Sequence, residues 1–139
     1  AGLVLLLAGI LDMLDGALAR HSNQATSFGA ILDSVTDRIS EAVLLLGLAL
    51  FYLADDDSAG VILTFLVLAA SYLVSYLRAR GEGLGITMKE TGLVTRTERM
   101  IIMILGLLFE QVLLALAVVL ALSLVTFGQR FHHMWHHTK

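Results

Sequence analysis

Long apolar runs decide what this chain can fold into. Residues 1–11, 31–54, 59–77 and 100–127 are dominated by Leu, Val, Ile, Ala and Phe. A helix rising 1.5 Å per residue crosses about 30 Å of hydrocarbon in roughly 20 residues. The second and third runs have that length. The first continues through a carboxylate-bearing stretch to Arg20 and His21. Of the 139 residues, 58% are hydrophobic and 15% charged, against about 45–50% and about a quarter in soluble domains. That balance is a membrane protein's. There is no Cys, which excludes disulfides and thiolate metal sites, and a net charge of −3 gives no basis for a nucleic-acid partner.

The polar breaks set the topology. Asp55, Asp56 and Asp57 separate the second run from the third, Arg78 and Arg80 close the third, and 81–97 is polar, glycine-bearing and reads as a loop. The last run is overlong for one helix and is broken at Glu110 and Gln111. Splitting it there places Arg20, Arg38, Arg78, Arg80, Lys89, Arg96, Arg99, Arg130 and Lys139 at or near one face, as the positive-inside rule requires. Left whole, it puts Arg130 on the wrong side. The sequence therefore predicts an all-α integral membrane protein, a polytopic bundle of five helices forming one domain over 1–139, with its basic face in the cytoplasm. The apolar opening, with no initiator Met and no basic leader, predicts an N-terminally incomplete chain.

An apolar bundle alone does not account for the carboxylates. Asp12 and Asp15 lie three apart in DMLDGALAR, and Asp33 and Asp37 lie four apart in GAILDSVTDR, so each pair shares one helix face. Four carboxylates gathered at a membrane border repel one another and lose hydration, and a divalent cation reverses the sign of that energy. Oxygen-only donors point to Mg²⁺, Mn²⁺ or Ca²⁺. Two acidic pairs have the capacity for two ions, the arrangement that clamps both oxygens of a phosphoryl displacement. Gly16 and Ala19 give the same face a surface on which a nucleotide or sugar can approach the backbone. Gly29 does this at the entry of the second helix, where close helix packing explains it equally well. Arg20 is placed to snorkel toward headgroups or to meet a phosphate.

Together these residues read Asp12-x2-Asp15-Gly16-x2-Ala19-Arg20-x8-Gly29-x3-Asp33-x3-Asp37. The pattern resembles, at every fixed position, the signature of the CDP-alcohol phosphatidyltransferases, and the succession of apolar helices extends the likeness over nearly the whole chain. The resemblance implies a six-helix membrane enzyme, often a homodimer, with a cytoplasmic active site; this chain would lack the first of the six helices. It implies two Mg²⁺ or Mn²⁺ ions held by Asp12, Asp15, Asp33 and Asp37 on the pyrophosphate of a CDP-linked lipid. It further implies nucleotide contacts from Asp12, Gly16, Ala19, Arg20, Gly29 and Asp33, with Asp37 taking the acceptor's hydroxyl proton and CMP leaving.

Arg78, Arg80, Arg96 and Arg99, in SYLRARGEGLG and RTERM, flank the loop on the acidic face. Juxtamembrane arginines commonly meet anionic headgroups, yet four of them also suit a phosphate monoester on the acceptor. Both stretches resemble the branch that makes phosphatidylinositol phosphate or its archaeal ether-lipid equivalent. That likeness implies inositol phosphate, or another small phosphorylated alcohol, bound by Arg78, Arg96 and Arg99, with Arg130 closing the pocket. Glycerol 3-phosphate is the alternative acceptor. An ion-binding transporter is the alternative class, but it leaves the complete signature unexplained. The tail FHHMWHHTK reads as an interfacial terminus with Phe131 and Trp135 among membrane lipids; the i, i+4 spacing of its histidines also suits a transition metal.

Overall fold

The computed structural model describes residues 26–89 and 91–139. They form four helices: α1 (Ser27–Ala54), α2 (Ser58–Gly83), α3 (Arg96–Leu108) and α4 (Val112–His137). The five-helix bundle expected from the sequence is thus corrected to four helices among the described residues. The helix assigned to the first apolar run falls at 1–20, outside them. The last apolar stretch does divide at Glu110, but unequally. α3 has 13 residues, about 20 Å at the helical rise, whereas α4 has 26. Only α2 and α4 combine the length and the apolarity of a membrane span among the described residues. α1 is long enough, but Asp33, Asp37, Arg38 and Glu41 make its first half polar.

Local chemistry explains each boundary. Thr26 caps α1, its Oγ1 accepting the Gly29 N–H at 3.0 Å, so the helix starts ahead of its apolar run. α1 and α2 are joined by a turn in which Asp56 takes a positive φ of 55° and Asp57 Oδ1 caps Gly60 N at 3.0 Å. At the second turn Glu110 has φ 56° and Gln111 N donates to Gly106 O at 2.8 Å. Gly106 permits that hairpin, because a Cβ there would come within 2.3 Å of the Ala115 Cβ. α3 opens on a capping box, the Glu98 carboxylate accepting the Thr95 N–H.

α2 packs most extensively on α4, α1 packs on α2, and α3 on α4. The core joins Leu45, Leu48 and Tyr52 of α1, Val67 of α2, Met103 of α3 and Ala115, Leu116 and Val119 of α4. Outside it, Phe65, Leu66, Leu105, Leu114 and Leu124 face outward, as a lipid-solvated surface requires. Between the spans, buried Thr64, Ser71, Ser123 and Thr126 keep side chains small where helices meet. Two consecutive antiparallel hairpins bring the start of α1, the end of α2, the start of α3 and the end of α4 to one end of the bundle, the end where the charged residues gather.

Candidate active site

The polar end is built from side chains one helical turn apart. Asp33 and Asp37 share a face of α1; Asp33 is exposed and Asp37 half-buried. Arg96, in the first turn of α3, donates from Nη1 to Asp37 Oδ1 across 59 residues of sequence. One turn deeper, Arg99 donates from Nε and Nη2 to Glu41 Oε1, each at 3.3 Å, and from Nη2 to Oε2 at 3.4 Å. The Asp37–Arg96 pair is partly open, with side chains 29% and 20% exposed, and the Glu41–Arg99 pair is closed. Arg38 lies among these groups: the charges acting on it are those of Glu41, Arg99, Asp37 and Arg96. Its Nη1 is buried without a hydrogen-bond partner.

The segment between α2 and α3 is fastened over this end. Arg130 of α4 is buried and donates from Nη1 to Val74 O at 2.8 Å and from Nε to Thr91 O at 2.9 Å. Gln129 Oε1 accepts Leu93 N at 2.9 Å and Thr126 Oγ1 accepts Val94 N at 3.3 Å. Gly92, with φ 120°, lets this segment pass: a Cβ there would stand 2.6 Å from Thr126 Cγ2 and 3.1 Å from Arg130 Nε. These bonds carry the chain directly into Thr95 and hence set the start of α3 that holds Arg96.

The structure therefore brings Asp37 and Arg96 into contact and places Asp33 one turn from them. It places Arg99 in the bundle interior against Glu41, Arg130 beneath the 91–95 segment, and Arg78 on the exposed end of α2, where its Nε meets Glu82 Oε1 at 3.0 Å. Gly29 sits in the first turn of α1, beside its Thr26 cap. Asp12, Asp15, Gly16, Ala19 and Arg20 lie outside the described residues. Glu41 and Arg38 were not singled out by sequence reasoning. The available signal was Glu41's position four residues after Asp37, on the same helix face.

Asp33 and Asp37 offer hard oxygen donors one turn apart, which fits a divalent cation of the Mg²⁺ or Mn²⁺ kind. Among the described residues no group of three or more carboxylate or imidazole side chains suffices to hold an ion. Of the four carboxylates predicted from the sequence, Asp33 and Asp37 are the two that lie among the described residues.

Lipid-facing helices around a polar end, where carboxylates of one helix meet arginines of another, define an integral, multi-pass membrane protein equipped to handle charged headgroups at the bilayer border. The chain belongs to the CDP-alcohol phosphatidyltransferase family, whose profile matches residues 1–125. Archaetidylinositol phosphate synthase of Pyrococcus horikoshii is 42% identical over 132 residues, covering 95% of this chain and 68% of that protein. The counterpart of that name in Methanothermobacter thermautotrophicus is 36% identical over 138 residues, covering 95% of this chain and 68% of that protein. Among solved structures, phosphatidylinositol phosphate synthase of Mycobacterium tuberculosis in complex with manganese and citrate superposes with a TM-score of 0.82 at 32% identity, covering 96% of this chain and 68% of that one. The same enzyme with CDP-DAG bound gives 0.82 at 32% identity, covering 96% and 72%. Within the family the chain strongly resembles this inositol phosphate branch.

Proposed function

We propose that this chain transfers the phosphatidyl-type group of a CDP-linked lipid to a hydroxyl of inositol phosphate and releases CMP. The observation that carries the reading is the Asp37–Arg96 contact: a carboxylate from the acidic signature and a cation suited to a phosphate meet at one point of the bundle's polar end. The relatives named for inositol phosphate products and the relative solved with CDP-DAG support both substrates.

Asp33 and Asp37, with Asp12 and Asp15, would hold the divalent ions, two per site in this reading. When bound, the ions would neutralise charge on the attacking acceptor oxygen and on the leaving oxygen of the pyrophosphate. Gly16, Ala19, Arg20 and Gly29, with Asp12 and Asp33, receive the cytidine nucleotide. The acceptor hydroxyl oxygen bonds to the lipid-side phosphorus, the bond from that phosphorus to the CMP oxygen breaks, and the hydroxyl proton passes to Asp37. Arg96 turns its guanidinium to the acceptor's phosphate, with Arg78 on the neighbouring helix end. Arg99 and Arg130 stand behind that pocket, Arg99 bonded to Glu41 and Arg130 to the carbonyls of Val74 and Thr91. The active end faces the cytoplasm, the side favoured by its arginines, and the chain works as a homodimer among membrane lipids.

Replacing Arg96 by Gln removes one charge-assisted phosphate contact, worth roughly 1.5 to 3 kcal/mol, or about one to two powers of ten in affinity. Initial-rate titrations should show the inositol phosphate KM rising by that factor while the CDP-lipid KM stays nearly constant. Equal effects on both substrates would make Arg96 a headgroup anchor and remove it from the pocket.

A further inference from the structure

Both side chains of the Glu41–Arg99 pair are almost wholly inside the bundle, 4% and 3% exposed. A buried ion pair is a weak source of stability, since apolar residues of similar volume often hold a fold equally well. Its geometry suggests another use. Asp37 and Glu41 are four apart on α1, and Arg96 and Arg99 three apart on α3, so the two pairs form successive rungs between these helices. α1 is packed along α2, and α3 along α4, whereas α1 and α3 do not pack on each other to a comparable extent. The rungs therefore tie α1 to the first turn of α3, in addition to the bonds that fasten the 91–95 segment to α4.

We propose that Glu41 is a positioning residue for the acceptor site: by holding Arg99 it fixes the rotation of the first turn of α3 and so sets where Arg96 presents its guanidinium. The inference rests on the reading that Arg96 meets the acceptor's phosphate. Charge accounting supports it. Among the described residues Arg96 bonds to Asp37 and Arg99 to Glu41, and Arg38 lies beside both pairs. Without Glu41, Arg99 loses the acid it is bonded to inside the bundle, with Asp37 one turn away on α1. Glu41 thus keeps the deeper arginine engaged and holds the first turn of α3 against α1.

The test uses the full chain in detergent micelles as parent, as Glu41→Gln, and as the double variant Glu41→Leu/Arg99→Met, which replaces the pair by apolar side chains and needs no buried charge. Initial rates are titrated in CDP-lipid and in whichever phosphorylated acceptor, inositol phosphate or glycerol 3-phosphate, the parent uses; thermal unfolding is recorded alongside. Both variants should raise the acceptor KM about tenfold or more, as loss of one aligned phosphate contact requires. The CDP-lipid KM should stay within about twofold, and the double variant should unfold at the parent's temperature. A double variant that unfolds at the parent's temperature with an unchanged acceptor KM would overturn the proposal. So would a parallel rise in both KM values, or a double variant that does not fold, because the pair would then hold the bundle rather than aim Arg96. A preference for glycerol 3-phosphate contradicts only the choice of inositol phosphate; a parent that uses no phosphorylated acceptor contradicts both readings.

Discussion

Asp37→Asn should lower turnover by about a hundred- to ten-thousandfold, the range lost when a positioned general base is removed. Asn keeps the shape of the side chain and an oxygen that can still accept from Arg96 Nη1, so the α1–α3 contact persists as a cation–carboxamide bond. What disappears is the capacity to take a proton and the charge that helps hold a cation. The loss should therefore fall on kcat, with nucleotide affinity affected far less. Single-turnover CMP release and equilibrium binding of CMP, measured on the same preparation, separate the two. Activity equal to the parent would remove Asp37 from the chemistry; a proportional loss of binding and turnover would make it a ligand to the donor alone.

Stripping divalent ions should abolish CMP release altogether, and adding back Mg²⁺ or Mn²⁺ should restore it. Two acidic pairs at a membrane border are mutually repulsive without cations, and the pyrophosphate brings further negative charge to the same place. The helices themselves should survive, because their stability comes from apolar packing around Leu45, Val67, Leu116 and Val119, remote in kind from the ion site. Far-UV circular dichroism unchanged by chelator, beside a complete loss of CMP, is the expected pair of results. CMP release unchanged after complete metal removal would contradict a metal-assisted transfer.

Much of this was legible in the sequence, for physical reasons that also explain what was not. The apolar runs produce α2 and α4 because length and hydropathy alone decide a span. The break at Glu110 is visible because two polar residues interrupt an otherwise continuous apolar stretch, yet its consequence, a 13-residue α3 beside a 26-residue α4, required the Gly106–Ala115 close approach to be seen. The five-helix expectation gave way to four among the described residues because its first helix lay wholly at 1–20, outside them. α1 begins at Ser27 rather than with its apolar run because the Thr26 cap stabilises a first turn that hydropathy does not register.

Sequence spacing places Asp33 and Asp37 on one face, since helical periodicity is local. It does not distinguish the surroundings of arginines that differ by one turn. Arg96 and Arg99 look equivalent in RTERM, but one meets a half-buried carboxylate and the other a buried one, because Glu41 lies one turn deeper on α1 than Asp37. Arg130, expected on the basic face and at the acceptor pocket, is directed by the fold to the carbonyls of Val74 and Thr91. Those partners come from segments distant in sequence, which no local pattern encodes.

The most direct measurement is headgroup-resolved turnover by the purified chain in vesicles containing a CDP-linked lipid, with Mn²⁺ or Mg²⁺ and one acceptor at a time: inositol phosphate, glycerol 3-phosphate or free inositol. Equimolar CMP and a lipid carrying inositol phosphate, formed most efficiently with inositol phosphate, is the predicted result. Preference for glycerol 3-phosphate would contradict the assigned acceptor, preference for free inositol would contradict the phosphate pocket at Arg96, and no CMP with any of the three would contradict the transfer itself.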